Sequence, residues 1–139
     1  MRILIDTNIA LDFLLEREPF CREAEKIIGL TKGGVGVYLS AASITDVYYI
    51  TRKAIGDKNS AMVLLKSLLL TVGVATVSDN EIRQAIALEW DDFEDAVQYA
   101  CGESLNVDYV VTRNKGDFFA SARLPVVTPE ELIRIISGS

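Results

Sequence analysis

Acidic side chains recur at four places in the sequence, each time beside hydroxyl or amide side chains. Asp6 ends the apolar run ILI and is followed by Thr7 and Asn8. Further along come Ser43 and Asp46, then Asp92 and Asp95, and finally Thr112, Arg113, Asn114 and Asp117. Residues three apart share one face of a helix, so the second and third groups can each present two oxygen-bearing side chains together.

This set of side chains favours one kind of chemistry. Carboxylates gathered at one point repel each other unless a positive charge lies between them. Hydroxyl and amide oxygens accompany the acids without His or Cys, so the pattern predicts a hard-oxygen site for Mg²⁺ or Mn²⁺. Divalent ions held in this way lower the pKa of bound water and stabilise charge on a phosphate, as in two-metal nucleases.

The composition excludes several other classes of activity. Histidine is absent, so the chain has neither the commonest general base nor a Ser-His or Cys-His nucleophile. Cys21 and Cys101 are far apart in the sequence, and we expect both to be buried free thiols. The formal net charge of −6 does not favour nucleic-acid binding, but bound divalent cations would reverse the sign locally.

Short apolar runs alternate with helical patterns along the chain. The predicted strands cover residues 2–5, 35–39, 74–77, 109–112 and 124–127. The predicted helices cover residues 8–15, 20–31, 40–55, 58–71, 80–90, 91–105 and 131–136. This alternation predicts an α/β fold with a central, mainly parallel sheet covered on both faces. Ligands of such folds bind beyond the carboxyl ends of the strands, where the acidic groups fall.

The remaining features predict one domain over residues 1–139, since no linker, repeat or low-complexity tract divides the chain. No stretch approaches the ~20 apolar residues of a membrane span. The first residues lack the apolar run and cleavage site of a signal peptide. We therefore expect a soluble, cytoplasmic protein that has no membrane partner.

Each acidic residue also has a structural explanation of its own. Asp6 and Asp92 could cap helices or favour their N-termini, Asp46 could lie on a helix surface, and Asp117 could belong to a turn with Gly116. The aromatic residues predicted to pack in the core rather than to stack on bases are Tyr48, Tyr49, Phe93 and Tyr99. The joint pattern of acids is harder to explain by such local roles than any one member.

The motifs, taken in order, resemble the PIN domain family of metal-dependent ribonucleases, best known as the VapC-type toxins of bacterial toxin–antitoxin pairs. The stretches that carry the resemblance are ILIDTNIALDFLL, SAASITDVYYITRK, DFEDAVQYACGESLNVDYVVTRNKGDF and LPVVTPEELI. The resemblance runs from about residue 2 to residue 134. It implies a PIN-like three-layer α/β/α sandwich.

The resemblance also implies which residues hold the metal. Asp6 matches the first acid, Asp46 the second, where most members have Glu, and Asp95 the third. The fourth position falls on Asn114 or Asp117, and the sequence leaves that choice open. Asparagine would supply an oxygen but no charge. The polar residues expected to support these ligands by hydrogen bonds are Asn8, Ser43, Asp92, Thr112 and Asn114.

The activity implied is hydrolysis of RNA by a water activated on Mg²⁺ or Mn²⁺, in the toxin of a type II toxin–antitoxin pair. Basic residues that could guide the RNA are Arg113, Lys115, Arg52, Lys53 and Arg17. The family resemblance further implies a homodimer and an antitoxin protein as partners. The candidate contact faces are the cluster Leu11, Phe13, Leu14 and Leu15 and the leucine-rich helix at 63–70, although core packing is the favoured explanation for each.

Other classes stay open at this point. Asp46 in place of Glu, and Asn114 in place of an acid, are compatible with a catalytically weak or inactive PIN scaffold that acts as a binding module. A phospho-accepting receiver domain would need an acid pair after the first strand and a Lys after the last. A phosphatase of the haloacid type would need D-x-D where this chain has D-T-N.

Overall fold

The computed structural model describes residues 1–118 and 123–138, except for the side chain of Asp117. The described residues form a five-stranded sheet. Its strands are β1 Arg2–Ile5, β2 Gly36–Ser40, β3 Gly73–Ala75, β4 Tyr109–Val111 and β5 Val126–Val127. The strand order is β3-β2-β1-β4-β5, and every neighbouring pair is parallel. All five strands therefore end at the same edge of the sheet.

Helices connect the strands, as expected for parallel pairing. They are α1 Thr7–Leu14, α2 Cys21–Gly29, α3 Ala41–Ile55, α4 Lys58–Leu69, α5 Asp79–Leu88, α6 Phe93–Leu105 and α7 Pro129–Ser137. Two 3-10 turns, Leu30–Gly33 and Lys115–Asp117, lie between them. Within the described ranges, none of the helices combines the length and apolar character that crossing a membrane would require.

The alternation of side chains along β1 divides the core into two halves. Ile3 and Ile5 pack on one face of the sheet with buried residues of α1, α2, α3, α4 and α7. Leu4 packs on the other face with buried residues of α5 and α6. Helices therefore cover both faces of a parallel sheet. This arrangement confirms the predicted three-layer α/β/α sandwich.

The structure corrects the bounds of the later strands. The strand predicted at 74–77 is β3, Gly73–Ala75, because its pairing with β2 runs from Tyr38 opposite Gly73 to Ser40 opposite Ala75. β3 ends at Ala75 because β2, its pairing partner, ends at Ser40. The apolar character of the residues after Ala75 does not extend the strand. The strand predicted at 124–127 forms ladder pairs with β4 only at Val126–Val127.

Several predictions about burial were wrong. Tyr49 is 63% exposed and Phe93 is 49% exposed, although both were expected in the core. Tyr99 is buried as expected. Both cysteines are free thiols, but only Cys101 is buried, and Cys21 is half-buried. Tyr49 and Phe93 lie on helices whose buried faces are occupied by other residues, which local hydrophobicity alone does not reveal.

Candidate functional site

A pocket of about 300 Å³ lies where β1 and β4 end and the following segments begin. Five acidic side chains line it, together with polar, basic and apolar neighbours. The lining residues are Asp6, Asp46, Asp92, Glu94 and Asp95, with Thr7, Asn8, Leu11, Ile50, Arg113 and Asn114. Acids from three separate predicted groups therefore meet in one place, as the parallel sheet requires.

Asp6 lies at the end of β1 and is held by the end of β4. Its backbone N–H donates to the Val111 carbonyl at 2.9 Å. The hydroxyl of Thr112 donates to Asp6 Oδ2 at 3.0 Å and accepts from the backbone N–H of Asn114 at 3.2 Å. Asp6 is only 8% exposed. These bonds fix the direction in which the Asp6 carboxylate enters the pocket.

Burial raises the pKa of the Asp6 carboxyl above its ordinary value of 3.8. Hydrogen bonds from Thr112 and Gln98, the backbone N–H of Thr7 and the charge of Arg113 act in the opposite direction. Gln98 is 1% exposed and lies on α6, three residues after Asp95. It is a supporting residue that the sequence analysis missed, although it stands within the quoted stretch DFEDAVQYA.

The start of α6 supplies two more acids. Asp92 is the N-cap, and its carboxylate accepts from the backbone N–H of Asp95 at 3.0 Å. Asp95 is 8% exposed and lies in the first turn of the helix, where the helix dipole favours negative charge. The cap sets the direction of the first turn, so Asp92 positions Asp95 at the pocket as well as lining it.

Glu94 is the acid of the pocket that the sequence analysis missed. Its Oε1 accepts from the Thr7 hydroxyl at 3.3 Å, which joins the start of α6 to the start of α1. Burial raises the pKa of Glu94, and the charges of Asp46, Asp92 and Asp6 raise it further against the Thr7 hydrogen bond. The side chain therefore lies within the field of several other carboxylates. Its place directly before Asp95 in the quoted stretch DFEDAVQYA was the available signal.

The two polar residues predicted on α3 lie in different surroundings. Asp46 is exposed and lines the pocket, and Ile50, one turn further on, lines it too. Ser43 is fully buried and does not line the pocket. Among the described residues, its hydroxyl has no hydrogen-bond partner. The structure thus brings Asp46 to the other acids but leaves Ser43 in the core.

Of the five basic residues predicted near RNA, only Arg113 lines the pocket. Its guanidinium pairs with Asp12 and lies 4.0 Å from the centroid of the Phe20 ring. Lys115 Nζ pairs with Glu131 at 3.1 Å, away from the pocket lining. Arg52 is exposed in the last turn of α3 and does not line it either.

The donor types in the pocket suit a hard divalent cation, since they are carboxylate, amide and hydroxyl oxygens. Burial raises the pKa of Glu94, and the charges of Asp46, Asp92 and Asp6 add to this effect by a repulsion that a cation would relieve. However, within residues 1–118 and 123–138, no three Asp, Glu, Cys or His side chains are placed so that they could hold a metal ion. Lining one pocket is a looser condition than reaching coordination distance. The side chain of Asp117, the other predicted ligand, lies outside the described part.

A family model described as the PIN domain matches residues 2–116. The match covers well over half of the 139 residues. The chain therefore belongs to the PIN domain family, which confirms the resemblance seen in its motifs. No match was found among curated proteins.

Solved structures of toxin–antitoxin proteins share the fold. VapBC2 from Rickettsia felis, bound to a promoter DNA fragment, aligns with a TM-score of 0.73 at 15% identity, covering 92% of this chain and 98% of that one. A toxin–antitoxin complex from Klebsiella pneumoniae aligns with a TM-score of 0.67 at 26% identity, covering 91% and 97%. VapC20 from Mycobacterium tuberculosis, a sarcin–ricin loop cleaving toxin, aligns with a TM-score of 0.62 at 18% identity, covering 78% and 86%.

Proposed function

We propose that this protein is a Mg²⁺- or Mn²⁺-dependent endoribonuclease and the toxin of a type II toxin–antitoxin pair. The observation that carries the proposal is the meeting of five carboxylates in one pocket at the carboxyl edge of the sheet. Such a concentration of acids repels an RNA phosphate on its own, so it makes chemical sense around divalent cations. The toxin–antitoxin neighbours support an antitoxin partner, and the RNA-cleaving neighbour supports an RNA substrate.

Asp6, Asp46 and Asp95 would hold the ion, with Asn114 or Asp117 as a further ligand, and the side chains of the three described acids would have to turn toward the ion to reach it. A bound divalent ion supplies an acidified water and neutralises charge that develops on the phosphate. Thr112 and Gln98 hold the Asp6 carboxylate in a fixed direction.

Glu94 has a separate role in this proposal. Glu94 lines the pocket beside the proposed metal ligands, and the Thr7 hydroxyl keeps its Oε1 oriented, so a carboxylate oxygen is within reach of a water in the pocket. We assign to Glu94 the acceptance of the proton from the attacking water. This role needs no histidine, in keeping with a sequence that has none.

The experiment is a cleavage assay on mixed-sequence single-stranded RNA with Mg²⁺ or Mn²⁺. Asp95→Asn should lower the rate by about 100-fold or more, the scale on which one electrostatic group contributes to catalysis. Asp91→Asn is the matched control, because Asp91 is an exposed neighbouring acid that does not line the pocket. Cleavage that EDTA abolishes but Asp95→Asn does not change would identify a contaminating nuclease and contradict the proposal.

A PIN scaffold without activity is the second candidate. It is favoured by Asn114, which brings no charge to the pocket, and by the lack of a preformed metal cluster among the described residues. The two candidates differ in their affinity for Mn²⁺. An inactive binding module predicts neither Mn²⁺ binding at the pocket nor cleavage of any RNA, while retaining the complex with an antitoxin.

We also propose a cytoplasmic homodimer, following the family resemblance. Val63 on α4 is 65% exposed, and Leu70, the residue that follows the end of α4, is 88% exposed. This region of the chain therefore offers apolar surface. By contrast, Leu11 is buried, and Phe13, Leu14 and Leu15 pack against the core. Light scattering on the wild type and on Val63→Glu would report the mass. A monomeric wild type would contradict the dimer and leave the nuclease proposal standing.

A further inference from the structure

Arg113 is the basic side chain that lines the acid pocket in the described part of the chain. Its guanidinium nevertheless pairs with Asp12, an acid that does not line the pocket. Nε lies 2.9 Å from Asp12 Oδ2, and Nη2 lies 3.4 Å from Asp12 Oδ1. The guanidinium also contacts the ring of Phe20, whose centroid lies 4.0 Å from Arg113 Cζ. Two partners thus hold Arg113 at the boundary of the pocket.

Asp12 is placed to do this because it is buried. Its side chain is 1% exposed, and it lies on α1 six residues after Asp6. Arg17 also approaches it, with Nε 3.0 Å from Oδ1, and Arg17 Nη2 donates to Asn8 Oδ1 at 3.2 Å. One buried carboxylate therefore pairs with two guanidinium groups at the edge of the pocket. Neither of the two arginines forms an ion pair with another described acid.

The pocket itself also attracts Arg113. The charge of Arg113 lowers the pKa of Asp6, so it is already felt inside the pocket. Five carboxylates line that side, against one at Asp12. A guanidinium that moved among them would form charge-assisted hydrogen bonds with the oxygens that a divalent cation needs. The same side chain can therefore serve as the partner of Asp12 or as a competitor of the metal.

We propose that Asp12 is a positioning residue that holds the Arg113 guanidinium at the rim of the acid pocket and so keeps the pocket open to a divalent cation. This inference rests on the proposed function, because it concerns the same cation site. It also gives Arg113 a role besides contact with RNA. Loss of the charge at position 12 should release Arg113 into the pocket and weaken metal binding.

The test is a Mn²⁺ titration by calorimetry or electron paramagnetic resonance. Asp12→Asn should raise the Mn²⁺ dissociation constant about tenfold, since a unit charge a few ångströms from carboxylates competes strongly. Asp79→Asn is the matched control, because Asp79 forms an ion pair with Arg83 on the exposed side of α5. The decisive variant is Asp12→Asn with Arg113→Gln. With the competitor removed, the dissociation constant should return to that of Arg113→Gln alone, within about threefold.

Arg113→Gln by itself guards against a failure of Asp12→Asn to fold, since Asp12 then still pairs with Arg17. This variant should bind Mn²⁺ at least as tightly as the wild type. Weaker binding by Arg113→Gln would overturn the inference, and so would a double variant that binds as weakly as Asp12→Asn. A wild type that binds no Mn²⁺ would overturn the proposed function together with this inference. A wild type that binds Mn²⁺ with the same affinity as Asp12→Asn would overturn the inference alone.

Discussion

The Thr112 hydroxyl donates a hydrogen bond of 3.0 Å to Asp6 Oδ2, joining residues that are 106 positions apart. β1 and β4 are neighbours in the sheet, so the residue after each strand lies at the same edge. Both groups are buried. The bond therefore connects the fold directly to the candidate site, because the pairing of two strands sets the orientation of one carboxylate.

Thr112→Val tests this connection. Valine has nearly the same shape, but Asp6 loses a donor and the Asn114 N–H loses its acceptor. We expect the Mn²⁺ dissociation constant to rise about 10- to 100-fold, as for other groups that orient metal ligands. Thr45→Val is the control, since Thr45 is exposed on α3. Equal Mn²⁺ affinity for Thr112→Val and wild type in a calorimetric titration would show that the bond does not orient Asp6 for binding.

Glu94→Gln tests the repulsion within the pocket. Removing one of several like charges should increase the free energy of unfolding of the metal-free protein at neutral pH by up to about 1 kcal/mol. The same change should weaken Mn²⁺ binding and slow RNA cleavage. Urea unfolding measures the first effect, with Glu25→Gln on the exposed side of α2 as control. A loss of stability in the metal-free Glu94→Gln protein would contradict the repulsion.

The pH dependence of stability should become weaker when metal is added. The pKa values of Asp6 and Glu94 are raised from 3.8 and 4.5, so the folded state binds these protons more tightly than the unfolded state. Their contribution to stability is therefore present at low pH and is lost as the pH rises through the raised values. Urea unfolding without metal should show this decline above about pH 4.5, and Mn²⁺ should oppose it by binding the ionised carboxylates.

Glu81 acts in the opposite sense and in a different window. Hydrogen bonds from the side chains of Ser78 and Ser104 lower its pKa from 4.5 to about 2. The contribution of Glu81 to stability is therefore complete above the pKa of the unfolded state and is lost as the pH falls toward 2.

The decline in stability above pH 4.5 that is assigned to Asp6 and Glu94 should be smaller in the double variant Asp6→Asn with Glu94→Gln. An unchanged decline in that double variant would assign it to other groups.

Gly73→Ala tests the packing of the sheet edge. Tyr38 pairs with Gly73 across β2 and β3, and a Cβ at position 73 would lie 2.8 Å from its ring. Because this is shorter than van der Waals contact, we expect a loss of about 1–3 kcal/mol in the free energy of unfolding. Gly29→Ala is the control, since a Cβ there meets nothing within 4 Å and the backbone is helical. Equal stability of Gly73→Ala and wild type would show that the ring moves aside without cost.

The sheet and the meeting of Asp6 with Asp95 could be predicted because both depend on local signals. Apolar runs give the strands, and parallel pairing then brings the residues after them to one edge. Ser43 shows the limit of this reasoning. Ser43 lies three residues before Asp46 and on the same side of α3, yet it is buried. The packing of α3 against the core decides which residues on that side of the helix reach the pocket.

The interactions that join distant segments could not be predicted. Asp12 and Arg113 are 101 positions apart, and nothing in the sequence around Asp12 distinguishes it from a helix-surface acid. Glu94 depends in the same way on the approach of α6 to Thr7. Contacts of this kind follow from how the layers stack. They fix the electrostatics of the pocket, while local patterns fix only which residues are available to it.

The proposed cation site is best tested by the Mn²⁺ binding isotherm of the wild type beside those of Asp6→Asn and Asp95→Asn. Both substitutions keep the shape of the side chain and remove one charge from the pocket. We expect saturable binding to the wild type and to the control Asp91→Asn, and dissociation constants at least about tenfold higher in the two pocket variants. Equal affinity in all four proteins, or no binding to the wild type, would contradict a cation site at the carboxyl edge of this sheet.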